Sequence, residues 1–235
     1  MYQRVILKLS GELFASPEEP VSLTRAMMLG TYIHNAIQAT KCQMGIVVGG
    51  GNIIRGRNAQ NSGVDRAIAD YMGMTATAIN GLALREALSR YDYDVRLTNA
   101  LTMPHISEQF SHMKVAHHFE AGRIVIFAGG LGRPFHSTDS AAAQAAAEFR
   151  ADIILKASTV NGVYNRDPKK DASAVRYAHL TYQEAIIANL GVMDQEAFAA
   201  CRNNDLTLLV FHADDLLRLS DIIAGDVSLG TLITN

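Results

Sequence analysis

Gly45-Ile46-Val47-Val48-Gly49-Gly50-Gly51-Asn52 is the stretch on which the reading of the fold turns. Its first half is an apolar run with no polar alternation. A strand wetted on one face would alternate, so this one is buried on both faces. The run stops abruptly in three consecutive glycines. Glycine loses more backbone freedom on folding than any other residue. Three together are usually accepted where backbone must touch a ligand; the other reading is a flexible turn. The same grammar recurs elsewhere. Residues 123–128 (RIVIFA) end in Gly129-Gly130-Leu131-Gly132, and residues 4–9 (RVILKL) run into Ser10-Gly11-Glu12.

Working outward, residues 95–98, 152–156 (DIILK), 206–211 and 231–234 read as further strands. Residues 22–39 read as a helix, residues 65–89 as a long helical stretch interrupted by Gly73 and Gly81, and the Ala-rich residues 139–149 as another helix. Thr181-Tyr182-Gln183-Glu184 has the spacing of a capping box, and Asp194 is placed to cap the helix after it. Residues 165–177 are polar and read as a long surface loop. Apolar strands separated by helices predict an α/β fold with a mainly parallel sheet covered on both faces. In such sheets ligands gather beyond the carboxyl ends of the strands. No internal repeat or linker divides the chain, so one domain over residues 1–235 is expected.

The bulk properties narrow the function. The 235 residues are 49% hydrophobic, enough for a full core, and the formal net charge of −2 excludes a nucleic-acid polyanion as the expected partner. Cys42 and Cys201 are far apart and fit a reducing cytosol, not a disulfide scaffold. No apolar run approaches the ~20 residues of a membrane span. A soluble, cytoplasmic protein without membrane or nucleic-acid partners is the expectation.

Chemistry collects at three strand ends. Lys8-Leu9-Ser10-Gly11-Glu12 puts an ammonium beside free backbone N–H groups, which suits a phosphate; a strand-end lysine before a plain turn reads equally well. Arg55, beyond the triple glycine, could fork onto a pair of phosphate oxygens. The spacing is neither that of a dinucleotide-binding fingerprint nor that of a P-loop. The third site runs from Gly132 through Pro134 to Thr138 and Asp139 at a helix start, where Thr138 and Asp139 either cap the helix or meet a ligand. On the long helix, Asp70, Gly73, Thr77 and Asn80 share one face by their spacing and read as a polar pocket wall. Asp70 could accept both hydroxyls of a ribose. Alternatively it pairs with Arg66 one turn away.

Taken together, KLSGE at Lys8, GGGN at Gly49, DYMGM at Asp70, INGLALREAL at Ile79, PFHSTDSAA at Pro134, NGVYNRDP at Asn161, VMD at Val192 and the terminal GTLIT resemble, in order and spacing, the bacterial UMP kinases. The resemblance covers nearly the whole chain. It implies the amino-acid-kinase fold, a three-layer α/β/α sandwich, with the UMP side mainly in the N-terminal part and the ATP side mainly in the C-terminal part. It implies transfer of the ATP γ-phosphoryl group to UMP, with Lys8 and Asp139 catalytic and Mg²⁺ held through the nucleotide phosphates rather than by a direct protein site. Lys8, Leu9, Ser10, Gly11, Gly51, Arg55, Ser158, Tyr164 and Asp167 would bind ATP. Gly50, Arg55, Asp70, Leu131, Gly132, Arg133, Pro134, Phe135, His136, Ser137 and Thr138 would bind UMP. A homo-oligomer, a hexamer, is implied, and Ala78, Leu82, Leu84 and Leu88 on the long helix exceed what one core face requires. Arg85, Arg96 and Arg123 match basic positions of a GTP activator site in a family also inhibited by UTP; the other reading pairs these arginines with acidic residues across a subunit interface.

The chain departs from the family pattern at Arg133, His136 and Ser137 of the acceptor loop, at Asn161, at Ser89 and in the acidic residues 16–21. Two other readings compete. A same-fold kinase acting on a carboxylate or carbamate would not need Asp70. A nucleotide sensor without catalysis would not need both Lys8 and Asp139.

Overall fold

The computed structural model describes residues 1–54, 63–168, 170–171 and 173–235. Strands β1 (Arg4–Leu9), β2 (Gln43–Val48), β3 (Val95–Asn99), β4 (Glu108–Gln109), β5 (Ile124–Ala128), β6 (Ile153–Ser158), β7 (His179–Thr181), β8 (Leu208–His212) and β9 (Gly230–Thr234) join in one sheet. Their order is β4-β3-β5-β2-β1-β6-β8-β9-β7. All neighbours run parallel except β8 and β9.

The faces of the sheet are separated by the period of two along each strand. Leu7 and Leu9 of β1, with Ile46 and Val48 of β2, pack against helices α1 (Leu23–Thr40), α2 (Arg66–Ser89) and, beyond two intervening helix pairs in sequence, Ile222 and Ile223 of the last helix, Leu219–Ala224. Ile6, Val47, Val125 and Ile154 face the other way, onto α3 (His112–Glu120), α4 (Thr138–Glu148), α5 (Tyr182–Ile187) and α6 (Gln195–Asn203); the last helix is α7. This is the predicted three-layer α/β/α sandwich with a mainly parallel sheet. No helix among the described residues is long and apolar enough to cross a membrane.

Most expected elements appear within a few residues of their predicted bounds. The capping box at Thr181 is present, and Asp194 caps α6 by accepting from Ala197 N. Three expectations change. First, α2 is continuous through Gly73 and Gly81. A Cβ at Gly81 would stand 2.7 Å from Leu97 Cδ1, so this glycine lets the helix lie close on β3. Second, Ala78, Leu84 and Leu88 are spent in the core, with Leu82 packed against it. The apolar residues that α2 leaves outside are Ile68, Tyr71, Met72 and Ile79. Third, α3, β4, β7 and α7 were not anticipated. Helix α3 buries only Val115, His118 and Phe119 of nine residues, a stripe diluted by its histidines and lysine, and the others are too short to show a period.

Candidate active site

Two lysines meet because of strand register. Lys8 of β1 is paired across the parallel ladder with Lys156 of β6, so both side chains leave the same face near the carboxyl ends of the strands. Helix α4 starts above them. Its cap is Ser137, whose hydroxyl accepts from Asp139 N at 3.0 Å and Ser140 N at 3.2 Å, so Thr138 and Asp139 are freed from the capping role considered for them. Asp139 turns down between the lysines: Oδ1 lies 3.1 Å from Lys8 Nζ and Oδ2 2.5 Å from Lys156 Nζ. Lys156 also donates to the carbonyl of Val192 at 2.5 Å.

These side chains are only 10–14% exposed. Burial opposes ionisation of Asp139, but the charges of Lys8 and Lys156 prevail and hold its carboxyl down at about 2. Burial, seconded by repulsion from Lys8, pushes the Lys156 ammonium below its ordinary value against the pull of Asp139. Asp139 is therefore ionised at neutral pH, and as two lysines plus one carboxylate the cluster can offer a surplus positive charge in a dry setting. The sequence reading gives Lys156 no role beyond its place in the strand 152–156. The available signal was the parallel between RVILKL and DIILK, two apolar strands that each carry a late lysine.

The cluster forms the floor of a cavity of about 800 Å³, which Ser10, Ser158, Tyr164 and Asp167 also line. Asn161 accepts a hydrogen bond from the Tyr164 hydroxyl and so steadies that wall. Leu9 does not reach the cavity through its side chain, which is buried in the opposite core. Gly11 is needed because a Cβ there would stand 2.5 Å from Asn52 Oδ1 and 2.7 Å from Gly51 N. The close approach expected for a ligand is thus, in this structure, an approach of two backbone turns.

On the other side, the polar face of α2 acts differently from the expected pocket wall. Thr77 and Asn80 are buried. Thr77 accepts from Gly129 N at 2.6 Å, and Asn80 donates to Gly49 O at 2.7 Å while exchanging hydrogen bonds with Asn52. They hold the glycine turns in place. Gly50 nests against the same helix, since a Cβ there would be 2.6 Å from Gly73 O. Asp70 is half-buried, and its carboxylate takes Arg66 Nε at 2.9 Å on both oxygens and Phe135 N at 2.9 Å on Oδ2. The Arg66 pair foreseen as an alternative is therefore present.

The acceptor loop continues with Gly132 at positive φ, an exposed Arg133, and Pro134. His136 meets Glu196 at 2.9 Å, and Ser137 donates to Asp194, which ties the loop to the start of α6. Leu131 borders a separate cavity of about 90 Å³ with Phe110 and Phe127. Arg55 lies outside the described residues.

Residues 3–212 match the Amino acid kinase family. The chain belongs to that family. Among solved structures, UMP kinase from Bacillus anthracis is similar at 36% identity and TM-score 0.94, over 99% of this chain and 96% of that one. UMP kinase from Ureaplasma parvum is similar at 34% identity and TM-score 0.92, over 100% of both chains. Uridylate kinase from Archaeoglobus fulgidus follows at 26% identity and TM-score 0.72, over 98% and 99%.

Away from the cavity, this amino acid kinase family member closes its predicted effector arginines into a ring. Asp94 holds Arg96 at 2.7 Å and Arg123 at 2.6 Å. Arg96 reaches Glu108 at 3.4 Å, Glu108 meets His118 at 3.1 Å, and Arg123 donates to His118 Nδ1 at 3.0 Å. Hydrogen bonding from the arginines draws the Asp94 carboxyl below its ordinary range. Arg96 and Arg123 thus have acidic partners within their own chain. Arg85 stands apart, donating to Ile106 O at 3.1 Å.

Proposed function

We propose that this chain transfers the γ-phosphoryl group of ATP to the phosphate of UMP, giving UDP and ADP, as a cytoplasmic step of pyrimidine nucleotide synthesis. The observation that carries phosphoryl transfer is the Lys8–Asp139–Lys156 cluster on the floor of the 800 Å³ cavity. UMP as acceptor rests on the full-length likeness to UMP kinases, and Asp70 supplies a carboxylate suited to a ribose.

The UMP phosphate oxygen is already an anionic nucleophile, so no covalent enzyme intermediate is needed. It attacks the γ-phosphorus as the bond to the ADP oxygen breaks. Catalysis then reduces to alignment and neutralisation of developing charge. Lys8 and Lys156 supply that charge. Asp139, held at about 2, is too weak a base for proton abstraction and acts as the organiser of both lysines. On this reading ATP lies against Lys8, Leu9, Ser10, Gly11 and Gly51, with Ser158, Tyr164 and Asp167 on the donor wall. UMP lies among Gly50, Asp70 and residues 131–138, with Arg55 on its phosphate. One domain then carries the UMP side mainly in its N-terminal part and the ATP side mainly in its C-terminal part.

Mg²⁺ fits as a companion of the nucleotide. Among the described residues no three His, Cys, Asp or Glu side chains gather as a metal site, so phosphate oxygens would hold the ion. When bound it would neutralise phosphate charge. Assembly into a homohexamer is supported by the apolar stripe Ile68, Tyr71, Met72 and Ile79 left outside on α2. GTP activation and UTP inhibition remain part of the proposal, with a weak GTP response, because a triphosphate must compete with Asp94 and Glu108 for Arg96 and Arg123.

A coupled assay with Mg-ATP tests the function by comparing UMP, CMP and an amino-acid acceptor. UMP is expected to be fastest by far. Faster turnover with a carboxylate acceptor, or none with UMP, would overturn the proposal.

A further inference from the structure

We propose that Arg66 is a positioning residue for ribose discrimination: by clamping Asp70 and the tip of the acceptor loop it favours a sugar that brings two hydroxyls over one that brings a single hydroxyl. The proposal rests on the reading of Asp70 as the ribose contact.

The Asp70 side chain is 13% exposed, and Arg66 Nε sits 2.9 Å from each of its oxygens. The second donor, Phe135 N, comes from the loop. Phe135 has φ +72, a left-handed conformation that a bulky residue rarely adopts. Phe135 is 68% exposed, so apolar burial does not impose that conformation. The contacts that hold it are the Asp70 hydrogen bond and the Arg66 guanidinium, 5.9 Å from the ring centroid. Arg66, Asp70 and Phe135 therefore act as one clamp joining the first turns of α2 to the loop.

Counting acceptor sites shows what the clamp selects. A carboxylate offers about four lone-pair sites. The single Nε–H of Arg66, shared between the oxygens, uses one site and the Phe135 N–H a second, which leaves two. A lone 3′-hydroxyl fills one of them. A vicinal diol also brings the 2′-hydroxyl, which fills the other. The diol then gains a charge-assisted bond to a carboxylate that is already oriented. Without Arg66 the carboxylate turns freely and faces water, and much of the advantage of the second hydroxyl is lost.

The test measures kcat and KM for UMP and dUMP with Mg-ATP in the full chain and in Arg66→Met, Arg66→Lys and Asp70→Asn, with thermal melts of each. Arg66→Met is expected to lower the UMP:dUMP ratio of kcat/KM about tenfold, mainly through KM for UMP, as loss of a bond to a charged group implies. Arg66→Lys should recover part of the ratio, because an ammonium restores the charge beside Asp70 but lacks the fixed direction of the Nε–H on a planar guanidinium. If Arg66→Met does not fold, the reduced ratio is read from Arg66→Lys. Equal losses for UMP and dUMP in the Arg66 variants, with a ratio that falls in Asp70→Asn, would overturn the proposal and leave the Asp70 reading standing. An unchanged ratio in Asp70→Asn would overturn that reading, and the proposal with it.

Discussion

Replacing Lys156 by methionine keeps an unbranched side chain one atom shorter and removes its charge from the centre of the site. Two interactions go with it, the 2.5 Å contact with Asp139 Oδ2 and the 2.5 Å bond to Val192 O. Breaking a buried ion pair from one side costs about 3–5 kcal/mol. Here Asp139 keeps Lys8 at 3.1 Å, and burial already disfavours the Lys156 ammonium, so the loss should fall below that range. Stranding the Val192 carbonyl adds about 1–3 kcal/mol. A net destabilisation of roughly 2–5 kcal/mol follows. The catalytic effect should be larger in proportion, because the cluster loses its surplus cation just where negative charge spreads during transfer. Removing one preorganised electrostatic donor costs about 10²–10³ in kcat. Urea unfolding gives the first quantity, and an ADP-release assay at saturating Mg-ATP and UMP gives the second. A folded Lys156→Met enzyme with kcat within about threefold of wild type would refute the argument, since Lys156 would then only brace Val192.

Lys8→Ala should lower kcat by about 10²–10³ and change KM for UMP much less; near-normal kcat would reduce Lys8 to a strand-end charge. Asp139 carries a pH prediction. Its folded carboxyl at about 2 lies below the ordinary 3.8, so its contribution of about 2 kcal/mol is fully present above roughly pH 4 and fades as pH falls through about 2. Urea midpoints between pH 6 and pH 2.5 should show that loss, and show less of it in Lys156→Met, where one of the two ammoniums that depress Asp139 is gone; identical acid limbs in the two proteins would contradict it. Wild-type protein should scatter light as an oligomer at micromolar concentration, and Ile68→Lys with Ile79→Lys, at positions 55% and 46% exposed on α2, should yield a smaller particle. A monomeric wild type, or an unchanged mass in the double variant, would count against that interface.

Strand and helix identity, the parallel character of the sheet and the two glycine turns were legible in the sequence, because each is written in a local period or in residues with few alternative conformations. RVILKL and RIVIFA can be little else than buried strands, and the Thr181 capping box announces its helix through hydrogen bonds made within four residues. The family likeness was equally local, a set of short motifs in order. What the tertiary structure alone decided is long-range. Lys156 joins the site because β1 and β6 pair in a register that puts it beside Lys8, and register is not encoded within either strand. Thr77 and Asn80 turn out to hold loops, since the helical spacing that put them on one face says nothing of what that face meets. Arg96 and Arg123 find Asp94 and Glu108 within their own chain, because β3, β4, α3 and β5 bring together residues that sequence separates by up to 29 positions. Local hydrogen bonding and apolar periodicity are properties of short segments; charge pairing and loop support depend on which segments become neighbours.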